Sequence, residues 1–364
     1  MNEARSSAAD DASCPVPLTR YSHVSIAHGG GGRLMRQLIE EMFVPAFGGA
    51  SAVQLNDSAV VARPTGRVAL TTDSFVVRPL FFPGGDIGRL AVFGTVNDLA
   101  MSGARPLYLS VSFILEEGLP LETLWRVVQS IARAAREAGV TIVTGDTKVV
   151  DHGLADGLYI TTSGMGVFLG EDDRSSFPPK LLMGPQFVQP GDAIVVSGDV
   201  GRHGIAVLAQ REGLQFETTL ESDLAALVHP VTDLLSAGLE LHCLRDLTRG
   251  GLATAVCEVA QSSCTRALLD EASIGVHPAV RAACELLGFD PLYVANEGRF
   301  AVWLPAAAAD QAVEILQRHA PLDSQPAVIG VVDASAQGEV VLRTRLGGHR
   351  PLDLLSGEQL PRIC

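Results

Sequence analysis

No Cys-x-x-Cys pair, no Cys/His cluster at zinc spacing and no long apolar run occurs in this sequence, and each absence removes a class of protein. The six cysteines (Cys14, Cys243, Cys257, Cys264, Cys284 and Cys364) are scattered over 364 residues. In a chain of this size they read as reduced cytoplasmic thiols rather than a disulfide framework. The opening residues MNEARSSAADDASCP carry no basic stretch followed by an apolar one, so no secretory signal is expected. No stretch approaches the ~18 consecutive apolar residues that a membrane span requires. Positive charge is also scarce: the formal net charge of −14 argues against a nucleic-acid binder, whose affinity is carried by Lys and Arg. Nucleotides remain possible partners, because metal ions and backbone N–H groups can hold them. A Walker A loop is missing, since neither glycine run is followed by Gly-Lys-Ser/Thr.

What is present describes an ordinary globular chain, 47% hydrophobic and 19% charged, long enough for two domains. Thirty-seven glycines and 20 prolines promise many tight turns. Residues 1–21, rich in Ala, Ser and Asp, read as a disordered extension, 22–170 as an N-terminal domain, and the polar, Pro-rich 171–190 as a linker. Residues 191–346 form a C-terminal domain, and 347–364, interrupted by Pro351, Gly357 and Pro361, a mobile tail. The patterning predicts helices over 33–47, 87–101, 121–138, 204–211, 224–237, 251–261, 278–287 and 306–319. It predicts strands over 68–73, 108–115, 141–143, 158–166, 193–197, 300–304, 328–332 and 340–343. Both halves mix helices with several successive strands, which favours two α+β domains over one doubly wound sheet.

Four features could carry chemistry. Acidic segments at the ends of elements (Thr72-Asp73-Ser74, Asn97-Asp98, Gly145-Asp146-Thr147-Lys148, Arg245-Asp246, and Asp57 beside Ser58) place carboxylates on separate loops, where they either cap turns or converge on Mg²⁺. Lys148 could neutralise a phosphate as a point charge. The glycine runs His28–Gly32, including Gly31 and Gly32, and Arg249-Gly250-Gly251 precede helical patterns. They are either flexible entry loops or anion sites. In Asn296-Glu297-Gly298, Glu297 is either an ordinary turn residue or, desolvated by Tyr293, Val294 and Phe300, a base with a raised pKa. Cys364, the last residue, either is incidental or serves as a nucleophile on a movable arm. Its own carboxylate should push the thiol pKa up and Arg362 partly offset this, so the thiol needs help from whatever it docks against.

Taken together, His28–Gly32, Thr72–Ser74, 79–85, Asn97-Asp98, 113–120, 144–150, 245–251, 295–298 and Pro361-Arg362-Ile363-Cys364 resemble the family of hydrogenase expression/formation proteins HypE, from about Ser22 to the last residue. The resemblance implies an aminoimidazole-ribonucleotide synthetase-like (PurM-like) fold: an N-terminal sheet pairing with a second subunit's into a dimer barrel, and a C-terminal α+β domain. It implies ATP-dependent dehydration of an S-carboxamide on Cys364 to a thiocyanate. HypF would supply the carbamoyl group and a HypC–HypD complex would receive the cyano group for nickel–iron hydrogenase assembly. Asp73, Asp98, Asp146, Asp246 and Asp57 would then hold Mg²⁺ and ATP, with Thr147, Gly31, Gly32, Arg249 and Gly250 beside the nucleotide. Lys148 would stabilise developing charge and Glu297 would act as base. Two alternatives stand beside this. One is a sister enzyme such as selenophosphate synthetase or thiamine-phosphate kinase; against the first, Cys14 lacks an adjacent Lys. The other is a non-enzymatic carrier with a modifiable Cys364.

Overall fold

The structure, a computed structural model, describes residues 14–15, 21–48, 57–62, 64–168, 183–214, 220–335, 338–355, 357, 360 and 363–364. The expected extension, most of the expected linker and Arg362 therefore lie outside the described residues.

The N-terminal half begins with helix α1 (Arg33–Leu38), a π-helical stretch and α2 (Val44–Phe47). Strand β1 (Val68–Phe75) follows, then a small hairpin of β2 (Phe81–Phe82) and β3 (Gly85–Asp86). Helix α3 (Ile87–Met101) is capped by Asp86, whose carboxylate accepts from the Gly88 and Arg89 N–H groups. Strand β4 (Ala104–Glu116), helix α4 (Leu121–Glu137), β5 (Thr141–Val150) and β6 (Leu158–Phe168) complete it. These strands form one sheet in the order β1-β6-β4-β5, antiparallel except for β4 and β5. Strands β1 and β5 are thus its two edges.

Helix α4 buries Leu124, Val128, Ile131 and Ala135 on one stripe and leaves Arg126, Arg133 and Arg136 in water. Each such buried aliphatic contributes ~1.5–3 kcal/mol. Helix α3 is apolar nearly all round and correspondingly buried, because it lies between this sheet, α4 and the second half of the chain. Along β1 the pleat alternates: Thr71, Asp73 and Phe75 turn toward α3, whereas Leu70, Thr72 and Ser74 point to the opposite, exposed face.

The second half carries β7 (Asp192–Val196), α5 (Arg202–Glu212), α6 (Val228–Ser236), β8 (Cys243–Asp246), α7 (Gly251–Ser263), β9 (Arg266–Asp270) and α8 (Pro278–Leu287). It continues through β10 (Phe300–Pro305), α9 (Ala309–Gln317), β11 (Ala327–Asp333), β12 (Val340–Arg343) and β13 (His349–Leu352). The seven strands form a sheet in the order β13-β12-β9-β11-β7-β10-β8. Ile194, Val196 and Trp303 face α7 on one side, while Val195, Val302 and Leu304 join α6 and α9 on the other. That second core runs without interruption into the N-terminal half.

The two mixed sheet-and-helix units accord with the α+β expectation. Two local expectations are corrected. Gly145-Asp146-Thr147-Lys148 is not a loop: β5 runs seven residues past Val143, and Gly145 is tolerated within it because an added Cβ would lie 2.2 Å from the Val111 carbonyl. Asp73 lies in β1 and Asp98 in α3, in agreement with the strand predicted over 68–73 and the helix predicted over 87–101. The segment expected as a mobile tail begins as β13, paired with β12, and Leu360 and Ile363 near its end are buried, with Cys364 half-buried. No helix among the described residues is long and apolar enough to cross a membrane.

Candidate functional site

Where the two halves meet, a cavity of about 330 Å³ is lined by Asp73, Asp98, Asp246, Arg249, Glu297 and Cys364, together with Arg245, Thr248, Thr254 and Glu258. Six residues singled out in the sequence thus converge. Asp73 comes from β1, Asp98 from α3 and Asp246 from the end of β8. Arg249 precedes α7, and Glu297 lies just before β10. The Thr71 hydroxyl donates to Asp98 Oδ2 at 2.8 Å, fixing one carboxylate between sheet and helix.

The electrostatics are those of crowded carboxylates shut away from water. Burial, then the neighbouring Asp98 carboxylate, pushes Asp73 up to about 6. Burial, with Asp98 and Asp73 adding to it, pushes Asp246 up to about 6. Glu297 is held well above the usual carboxylate range, first by burial and then by Asp246, Asp223 and Asp73. The Cys364 thiol is pushed up to about 12 by burial and by Glu297, and the Arg249 guanidinium that hydrogen-bonds it opposes this only in part. Arg249 supplies a partial offset of the kind expected of Arg362, which lies outside the described residues. A docked sulfur is therefore a neutral thiol, with a carboxyl on one side and a guanidinium on the other.

Side chains of no obvious pattern hold this arrangement. Asp223, buried between the halves, accepts from the N–H groups of Glu297 (3.4 Å) and Gly298 (3.2 Å). Gly298 must lack a side chain, because a Cβ there would lie 1.8 Å from the Asp223 carbonyl. Asn296, wholly buried, donates to the Leu247 and Val294 carbonyls and accepts from Gly201 N–H. Asn97 donates to the Ala225 carbonyl and accepts from Leu227 N–H, tying α3 to the segment that carries Asp223. Both asparagines and Arg245 stand inside the motifs read from the sequence; Asp223 and Glu258 lie outside all of them.

The remaining predicted residues lie elsewhere. Asp146, Thr147 and Ser58 line a second groove of about 310 Å³ between β5 and the first helices, walled by Ile39, Phe43, Phe47 and Ile142. Lys148 stands beside it on β5, 3.7 Å from Asp146, with both side chains more than half exposed. The run containing Gly31 and Gly32 packs on this edge: a Cβ on Gly29 would lie 2.5 Å from Val149 N. Asp57 borders the exposed face of the sheet. Gly250 turns into α7 with φ +72° and is crowded by Thr254. Within one chain, Lys148, Asp146, Asp57 and the first glycine run are therefore not brought to Cys364.

No three His, Cys, Asp or Glu side chains among the described residues are arranged to enclose a metal ion. The donor chemistry nevertheless fits Mg²⁺ arriving with phosphates: Mg²⁺ takes one or two carboxylates from a protein and the rest from phosphate oxygens and water. Asp73, Asp98 and Asp246 carry negative charge that the cavity leaves poorly compensated.

Two family models divide the chain: the N-terminal domain of AIR synthase related proteins matches residues 55–168, and their C-terminal domain matches 189–343. Carbamoyl dehydratase HypE of Azotobacter vinelandii is 51% identical over 345 residues, covering 95% of this chain and 98% of that protein. The chain belongs to the HypE family of carbamoyl dehydratases. A crystal structure of the hydrogenase maturation protein HypE in complex with ATP superposes with a TM-score of 0.86 at 46% identity, covering 93% of this chain and 99% of that one. A HypE–HypF complex gives 0.74 at 42% identity, covering 87% and 99%. The resemblance drawn from the motifs thus names the right family, and the AIR synthase related fold accords with it.

Proposed function

We propose that this chain uses ATP to dehydrate an S-carboxamide on its own Cys364 to a thiocyanate. The observation that supports this most directly is the position of the Cys364 sulfur, in a closed acidic cavity beside Glu297 and Arg249. Removing water from a primary amide requires its oxygen to leave as something better than oxide, and phosphoryl transfer from ATP to that oxygen makes it phosphate. Two N–H protons must then depart as the C≡N bond forms. Glu297, made more basic than a surface glutamate by burial, is the base that takes one of them, and the departing phosphate carries away the other. Arg249 orients the sulfur and faces charge that develops on the amide oxygen. Asp73, Asp98 and Asp246 are the residues that would hold Mg²⁺ carried by the nucleotide. When bound, that ion neutralises phosphate oxygens.

The second groove accounts for the other predicted residues. Its apolar wall suits an adenine, with Asp146, Thr147, Gly31 and Gly32 toward the sugar and phosphates. Inside one sheet, Asp73 and Lys148 are separated by three strand spacings, ~14 Å. They stand on opposite edges, and neither edge has a further strand neighbour among the described residues. We read the sheet as half of a dimer barrel in which β5 of one copy lies beside β1 of the other. The partner subunit's Lys148 then reaches the Asp73 cavity, and exposed Leu70 and Ile114 are covered. In this reading HypF supplies the carbamoyl group and a HypC–HypD complex receives the cyano group in the cytoplasm, a compartment that keeps thiols reduced.

The test is a mass measurement on the C-terminal peptide after incubation with HypF, carbamoyl phosphate, Mg²⁺ and ATP. The expected result is a Cys364 carboxamide that loses one water when ATP is present. An adduct that keeps its water with ATP defeats the reading.

A further inference from the structure

Glu297 can remove a proton from a group on Cys364 only if the arm bearing that sulfur stops at one depth. The feature that sets this depth is a histidine outside every motif used so far. His203, the second residue of α5, is fully buried. Its Nε2 lies 2.7 Å from the carbonyl oxygen of Ile363, the residue before Cys364, and its Nδ1 lies 2.8 Å from Ser222 Oγ. A carbonyl can only accept, so Nε2 carries the hydrogen. Nδ1 then accepts from the Ser222 hydroxyl, whose oxygen in turn accepts from Leu224 N–H at 3.1 Å. Phe82 stacks edge-on against the ring at 5.4 Å, so the imidazole has one orientation. Burial lowers its pKa, which keeps it in the neutral form this pattern needs.

Next to it, Gly204 makes room for the arm: a Cβ there would lie 3.2 Å from Leu360 Cδ1. The start of α5 thus offers a hydrogen bond to one arm residue and a pocket to another. The same start is fastened to the loop that carries Glu297. Gly201 N–H donates to Asn296 Oδ1 at 2.7 Å, and Gly204 N–H donates to the Ala295 carbonyl at 3.1 Å. Seat and base belong to one rigid frame.

We propose that His203 is a positioning residue, the latch that seats the inserted arm by its Ile363 carbonyl and so fixes the Cys364 sulfur against Glu297. It holds main chain and ignores the sulfur's substituent, so it seats free, carbamoylated and cyanated arms alike. This rests on the dehydration reading for its purpose, and on geometry alone for its existence.

Full-length wild type, His203→Leu and His203→Gln are compared in three assays read on the C-terminal peptide. Losing one buried hydrogen bond lowers the seated-to-free ratio of the arm by about tenfold. In His203→Leu, iodoacetamide should therefore alkylate Cys364 up to about tenfold faster, and ATP-driven water loss should slow because the sulfur is no longer held at one depth. Carbamoyl transfer by HypF, which needs the arm outside, should be no slower. His203→Gln retains a side-chain N–H donor and should recover most of the protection, which a merely space-filling role would not produce. Equal alkylation rates in wild type and His203→Leu overturn the latch. A wild type that never loses water overturns the proposed reaction and leaves the alkylation comparison standing. Should His203→Leu not fold, the test moves to the arm: Leu360→Glu in the full chain expels it, and the slowly exchanging Nε2–H of His203 should vanish from the NMR spectrum. A ring N–H equally protected in Leu360→Glu overturns the latch as well.

Discussion

The cavity that receives Cys364 buries Glu297 and half-buries Asp73, Asp98 and Asp246, whereas the β5 edge leaves Asp146 and Lys148 55% and 65% exposed. In the cavity, Asp73, Asp246 and Glu297 are each pushed up by burial and by one another, a costly arrangement that the surrounding fold must sustain. At the β5 edge the acid and the lysine are a loosely paired surface couple of small energetic weight. The contrast separates residues assembled inside one chain from residues that the proposed nucleotide and second copy would complete.

The comparison can be broken most severely at the cavity. Cys364→Ala should abolish any adduct and any dehydration while nucleotide binding, measured by calorimetry, is kept; loss of nucleotide affinity would mean that the two regions are not separable. Next, Glu297→Gln should slow water loss from the carbamoylated protein by about 10²–10⁴-fold, the usual range for losing a general base. The same change removes a buried like charge, so its melting temperature should rise by a few degrees; a fall would show that the carboxyl stabilises the fold.

Mixing tests whether the two regions complete each other. Asp73→Asn and Lys148→Ala homodimers should each be inactive. After exchange, half the dimers are mixed and each holds one intact site, so about a quarter of wild-type activity should return. No recovery would mean that each subunit works with its own Lys148. The smallest effect is in pH. The folded pKa of His203 lies below its unfolded value, so the unfolded chain binds the extra proton. The stability conferred by the neutral ring is complete above about pH 6.5 and lost as pH falls below it. Melting temperatures at pH 7.5 and 5.5 should differ more in wild type than in His203→Gln.

Much of the fold was legible because it is locally encoded. The bounds of α3, α8 and β12 match those predicted, because each is a continuous apolar or amphipathic run with clear ends. Strands β8 and β9 carry charged residues at their ends, Arg245-Asp246 and Arg266 with Asp270, that break up the apolar signal, and Pro351 hides β13. The site divides in the same way. Motif residues Asp73, Asp98, Asp246, Arg249, Glu297 and Cys364 do meet, whereas Asp223 and His203 act on backbone groups 74 and 160 positions away, a relation that no local spacing records. The separation of Lys148 from the cavity was equally invisible, since it follows from the order of four strands.

A thiol pushed up to about 12 from an ordinary 9.0 holds about a thousandfold less thiolate at neutral pH. Peroxide, glutathione disulfide and stray electrophiles all react with the thiolate, so the parked arm is chemically quiet. An arm seated in this way shields its sulfur from oxidation as well as positioning it.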